Sequence, residues 1–280
     1  MKKKANAAAK AYAIVILLFL YAPIFVLIAF SFNASKSRAN FTEFTFKWYR
    51  ELFQNELIMT SLWNTLKIAV LAALIATLLG TCAAIGMNAM KKRSRSLMMN
   101  LTYMPVINPE IVSGISMMLL FVFFCGIVNR LFGKDGAPVL ELGAWSVLVA
   151  HVTFCVPYVV LNVLPKLRQM DQNMYEAALD LGCNPFEAFR KVVIPEILPG
   201  VMSGMLMAFT FSLDDFIITY FTNGSTFQTL PVTIYSMTRK KVNPQINALS
   251  TILFLVVLLL LVLMNVKQAK SRKRNGREGV

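Results

Sequence analysis

Hydrophobic and polar positions fall along this chain in long blocks. Apolar runs of about twenty residues or more occupy 11–32, 62–90, 97–124, 143–164, 200–221 and 246–266. At about 1.5 Å of rise per helical residue, roughly 20 residues cross the ~30 Å hydrocarbon core of a bilayer. The pattern therefore predicts an all-α integral membrane protein with six transmembrane helices. Pro23 is expected to kink the first span. The second is rich in Ala, Gly and Thr, which lets helices approach closely, so it is expected to pack against its neighbours. From Leu253 to Met264 the last span is almost wholly aliphatic and is expected to face lipid. The basic start and apolar run at the N-terminus resemble a signal peptide, but the run is too long for one and lacks a small-residue cleavage site, so it reads as a retained span. The loop at 33–57 carries Phe41, Phe44, Phe46, Trp48 and Tyr49, which suits an interfacial helix or contact with an outside partner.

Polar breaks in the apolar blocks are few. The third run is interrupted by Asn108-Pro109-Glu110 and the fifth by Ser212-Leu213-Asp214-Asp215-Phe216; the remaining acids lie outside the runs. A carboxylate at membrane depth costs about 2.5–3.5 kcal/mol on insertion scales, so these three require water or a partner. Counting from Gly200, Asp214 lies about 21 Å along the axis, past the midplane toward the outside. Neighbouring helical residues diverge by about 100°. One aspartate is therefore expected to line a polar path while the other bonds a neighbouring helix or caps a break. An ion pair with Lys67 or a subunit contact is the alternative. His151, the single histidine, reads as a packed core residue, and without a second one a metal site has no support. Cys82, Cys125, Cys155 and Cys183 are scattered and define neither a disulfide framework nor a metal site.

Between the fourth and fifth runs lies the one soluble-looking stretch, Asp171 to Pro199. Asp171 is a candidate N-cap, and Met174, Ala177, Ala178 and Leu181 make a narrow apolar face at helical spacing. Gly182 ends that helix. Asn184, Pro185 and Glu187 then form a capping box with proline in the first turn. Pro195 and Pro199 are expected to stop the second helix. The product is a compact hairpin with small alanines on its exposed stripe.

Composition agrees with a membrane chain: 57% of residues are hydrophobic and 15% charged, against about 25% charged in soluble domains. The net charge of +14 does not signal nucleic acid, because it is laid out by the positive-inside rule. Of the 28 basic residues, 18 lie at the two termini, at 91–95 and at 166–191, all on one side; 9 lie in the opposite loops and Lys67 lies within a span. That arrangement places both termini and the hairpin in the cytoplasm. There is no G-x-x-x-x-G-K-[ST] loop, nucleophile elbow or H-E-x-x-H motif, so the chain is not expected to be an enzyme, and energy must come from elsewhere.

The pattern Glu176-Ala177-Ala178, three residues, Gly182, nine residues, Val192-Val193-Ile194-Pro195 resembles the EAA loop of permease subunits from bacterial ABC importers. Val192 and Ile194 depart conservatively from the usual I-x-L-P ending. The resemblance implies a type I importer permease fold, a multi-pass location in the bacterial inner membrane, and a coupling helix received by an ATPase cleft. Glu176, Ala177, Ala178, Gly182 and Pro195 would be the coupling residues. SLDDFIITYFTNG at 212–224, the run from Thr229, NPEIV at 108–112 and KWY at 47–49 further resemble spermidine/putrescine importer permeases of the component C type. That narrower likeness implies a homologous second permease, an ATPase dimer that binds ATP and Mg while this chain holds no cofactor, and an extracytoplasmic polyamine-binding protein, all assembled in membrane lipid. A linear polycation needs carboxylates and aromatic faces along its route, which Asp214, Asp215, Phe216, Tyr220 and Glu110 would supply. The same machine with an iron, thiamine or phosphonate cargo, and a self-sufficient channel or proton-coupled carrier, are the competing readings. Three regions are expected: 1–57 with the first span and outer loop, 58–266 as the permease core with its coupling loop at 166–199, and a basic tail at 267–280.

Overall fold

A computed structural model describes residues 2–35, 40–133, 138–240, 244–255 and 258–259. It divides into two compact units, residues 1–59 with 234–280, and residues 60–233. Five described helices are long and apolar enough to span a membrane, and Pro244–Leu255 is a shorter apolar helix at the start of the expected sixth span. The rest of that span from Val256, save residues 258–259, and the basic tail lie outside the described residues.

In the first unit, α1 (Lys2–Ser31) carries the first span with Pro23 inside it. It ends in a knot centred on Asn33, whose Oδ1 accepts from the Thr42 amide at 3.0 Å and the Thr42 hydroxyl at 3.2 Å. Trp48 on α2 (Lys47–Gln54) donates its indole N–H to the Asn33 carbonyl at 2.6 Å and is buried. Phe32 stacks on Phe44 at 5.1 Å, with Phe46 and Tyr49 edge-on or tilted against it. The aromatic loop is thus tied into α1 and α2 by side-chain bonds as well as anchored by its rings.

The second unit begins in α3 (Glu56–Ala89), whose Ala69, Ala72, Ala73, Ala76 and Ala84 are buried. A Cβ at Gly80 would lie 2.6 Å from Val159 Cβ, so the small residues of this helix serve close packing as expected. The third apolar run is two helices rather than one: α4 (Lys92–Ile107) and α5 (Glu110–Phe132), with Asn108 extended between them at φ −70°, ψ 139°. The residue before a proline is driven out of the helical region, and Pro109 lacks the N–H that would continue the ladder. Glu110 therefore stands exposed at the head of the helix that makes the third candidate span, instead of midway along it. Its carboxylate there complements the positive end of the helix dipole.

The core of this unit is the antiparallel pair α6 (Ala144–Gln169) and α9 (Ile194–Asp214). On α9 the residues Gly200, Gly204, Ala208 and Ser212 recur every four positions and are all buried. They meet α6 in register: Lys166 and Asn162 against Gly200, Val159 against Gly204, Cys155 against Ala208, His151 against Ser212. A Cβ at Gly204 would stand 3.0 Å from Val159 Cα, which sets how near the two backbones come. A small-residue ladder of this kind gives van der Waals contact that lipid cannot replace.

Neither Pro195 nor Pro199 stops the second hairpin helix. The chain runs helically from Pro185 to Asp214, through α8 (Pro185–Ala188), a π turn at Phe189–Val193 and α9. The Ile194 amide bonds back to the Phe189 carbonyl, and this widened turn accommodates the missing N–H and the ring of Pro195. The fifth span consequently ends at Asp214, earlier than Phe221. The short α10 (Ile217–Thr222) follows after a break.

Candidate functional site

The hairpin is built locally. α7 (Gln172–Asp180) starts with the Asp171 carboxylate accepting from the Asn173 amide at 3.0 Å. It closes in a Schellman arrangement, with the Gly182 amide on the Leu179 carbonyl at 2.9 Å and the Cys183 amide on that of Ala178 at 3.1 Å. Gly182 has φ +89°, a left-handed conformation that side chains resist. Asn184 caps the Glu187 amide at 2.9 Å while Glu187 reaches back to the Asn184 amide, completing the expected capping box. The exposed stripe differs from expectation in one respect. Ala177 is exposed but Ala178 is buried against the core, and the outward apolar surface is made by Met174, Leu181 at 86% exposure and Phe186 at 73%. Glu176 is exposed at the rim of a cavity of about 400 Å³ that Tyr175, Phe189 and Asn88 also line.

The two polar breaks lie close together. Asn108 and Pro109 open onto a cavity of about 960 Å³ lined with Asn100, Tyr103, Ser113, Ser116 and Thr153. One turn beyond Glu110, a Cβ on Gly114 would come 3.0 Å from the Phe221 ring and 3.5 Å from the Ile217 carbonyl, so α10 rests directly on α5. Beside the cavity, Phe154 packs on Tyr158 at 5.4 Å, and Tyr158 on Phe211 at 4.4 Å.

The second break separates the two aspartates. Asp215 adopts φ −60°, ψ 124°, which ends α9 and turns consecutive side chains apart. Its carboxylate, 6% exposed, accepts from the Ile218 amide at 3.3 Å, and from the Thr219 amide at 2.8 Å and hydroxyl at 2.9 Å. It also lies 3.3 Å from Nε2 of His151. Lys67 is therefore not its partner; a histidine from α6 is. Asp214 is exposed, and just beyond it Phe216 and Tyr220 have ring centroids 5.4 Å apart. Of the five residues expected along a path, Asp214, Phe216 and Tyr220 are grouped at one break, Glu110 heads the other, and Asp215 is held in the fold. His151 is the packed core residue expected, and its link to Ser212 and Thr219 is not legible in the sequence, because only the register of α6 on α9 brings the three together. Among the described residues no cluster of metal-ligating side chains occurs.

The profile of the family described as "Binding-protein-dependent transport system inner membrane component" matches residues 76–275. The chain belongs to this family. The permease is 35% identical over 254 residues, 91% of both chains, to the spermidine/putrescine transport system permease protein PotC of Shigella flexneri. It is 35% identical over 253 residues to the PotC of Haemophilus influenzae, covering 90% of this chain and 92% of the relative. To the putrescine transport system permease protein PotI of Escherichia coli strain K12 it is 36% identical over 233 residues, 83% of this chain and 80% of the relative. Among solved structures, a bacterial ABC transporter involved in the import of the acidic polysaccharide alginate superimposes with a TM-score of 0.70 over 96% of both chains at 18% identity. The MetNI methionine ABC transporter gives a TM-score of 0.55 over 78% of this chain and 98% of that one at 16% identity. These two share the fold of the permease. It is a transport subunit and not an enzyme.

Proposed function

We propose that the chain is one of two permease subunits of an ATP-driven importer of polyamines, forming half of the translocation pathway. The observation that carries this reading is the match to spermidine/putrescine permeases over about nine-tenths of each chain. The partners are a homologous second permease, an ATPase pair that binds ATP and Mg, and an extracytoplasmic polyamine-binding protein. Both termini and the hairpin face the cytoplasm, in keeping with the distribution of basic residues. Met174, Ala177, Leu181 and Phe186 present the apolar face that enters the ATPase cleft, with Glu176 and Gly182 supplying polar contact and turn shape.

ATP-driven closure moves the hairpin as a body. Because α6 and α9 emerge from its two ends and interlock along the small-residue ladder, they move with it and alter the break at their far end. There Asp214 offers a carboxylate to a passing ammonium group, and Phe216 and Tyr220 offer ring faces to the methylene chain and its charges. Glu110 stands at the neighbouring break.

Uptake of labelled spermidine and putrescine by the assembled importer in proteoliposomes tests the reading. ATP-dependent accumulation that either unlabelled polyamine competes away is expected. Uptake without the ATPase would point to a carrier, and uptake of an iron, thiamine or phosphonate compound without polyamine competition would overturn the cargo.

A further inference from the structure

The transport reading leaves His151 unused. The ring is 2% exposed and spans the break between α9 and α10: its Nδ1 lies 2.6 Å from the Ser212 hydroxyl before the break, and its Nε2 lies 2.8 Å from the Thr219 hydroxyl after it. The Thr219 proton is committed to Asp215, 2.9 Å away, so the Thr219 oxygen accepts from His151. Nε2 then carries a proton, and Nδ1 pairs with the Ser212 hydroxyl. Ser212, His151, Thr219 and Asp215 form one connected chain in which each member has a partner. A chain with no unmatched member holds its atoms to one geometry, because any displacement strands a buried polar group.

The consequence falls on Asp214. A continuous helix through this region would present the two acids about 100° apart, with either free to meet a cation. With Asp215 held at the head of α10, the acid that remains exposed is Asp214. We propose that His151 is a positioning residue for transport: by bridging the break it keeps Asp215 inward and Asp214 outward, and from α6 it ties that break to the arm that leads into the hairpin. This rests on Asp214 being the acid that meets the cargo.

The test uses the assembled importer in proteoliposomes with saturating binding protein loaded with labelled spermidine, measuring spermidine moved and ATP hydrolysed in the same vesicles. A residue that only supports folding lowers both together with the amount of complex, whereas a positioning residue lowers spermidine moved per ATP. Thr219→Val, which keeps the shape and removes the hydroxyl link, is expected to lower that ratio about threefold, and His151→Ala about tenfold. His151→Gln, with one donor and one acceptor in its amide, is expected to recover most of the loss. Adding Thr219→Val to Asp214→Asn is expected to lower the ratio no further than Asp214→Asn does alone, since both act through one carboxylate. An unchanged ratio in Thr219→Val overturns the proposal, whatever the yield of His151→Ala. An unchanged ratio in Asp214→Asn overturns instead the assignment of Asp214 to the cargo, so the two failures are told apart.

Discussion

Two interruptions of helix in the second unit are held in different ways. The turn at 181–184 is exposed and made by its own residues: a left-handed glycine, a Schellman pair of amide bonds and a capping box within four positions. The break at Asp215 combines a local cap, the Asp215 carboxylate on the Ile218 and Thr219 amides, with a buried side chain from elsewhere, His151, arriving from 64 positions earlier in the chain. The first can be carried bodily without losing its shape, which suits a piece that must fit a partner. The second changes whenever α6 and α9 shift, which suits a piece that must respond.

Cysteines report on each: Cys183 lies in the turn, and the fully buried Cys155 lies one helical turn from His151. The largest effect is expected from Gly204→Leu, whose Cβ alone would stand 3.0 Å from Val159 Cα and force the ladder open. A loss of about 3 kcal/mol or more follows, seen as lower thermal stability in detergent. Labelling of Cys155 by a membrane-permeant thiol reagent, followed by peptide mass spectrometry, should rise while that of Cys183 does not. A rise at both sites would mean that the hairpin is not independent.

Asp215→Ala comes next. It strands the Thr219 hydroxyl and the head of α10, a loss of about 2 kcal/mol, and should expose Cys155 less than Gly204→Leu does. Gly182→Val places a branched side chain at φ +89°, a strain of about 1–2 kcal/mol confined to the turn. Co-purification of the ATPase should fall, Cys183 labelling should rise and Cys155 should remain protected. The smallest effect is Asn184→Ala, about 1 kcal/mol for a lost cap, read as faster hydrogen exchange at the Glu187 amide. Faster exchange at Thr219 in the same variant would contradict the separation of the two breaks.

Much of this contrast was legible beforehand on one side only. Asp171, Asn184 and Glu187 act through bonds to residues two or three positions away, Gly182 through its own backbone angle and Pro185 through its ring, so their spacing reveals the hairpin. The prolines misled for a related reason. Pro195 and Pro199 are helix stops by local rules, yet a π turn and the contacts of α9 on α6 keep the helix running through both. Asp214 and Asp215 were recognised as unusual from their depth alone. Asp215 is the one that caps the break, as expected of one of the pair, and it also meets a histidine whose proximity no spacing reveals.

The sequence alone determined the apolar blocks, their helical state and the turn of the hairpin, because each follows from the solvation of a contiguous segment or from bonds within a few residues. Tertiary structure decided the fate of the two aspartates, the use of His151 and the meaning of Gly200, Gly204, Ala208 and Ser212. A ladder of small residues permits close approach without naming its partner. Only when α6 lies against it does Val159 fill the space above Gly204 and His151 meet Ser212, and that pairing joins the local cap made by Asp215 in setting which carboxylate stays exposed.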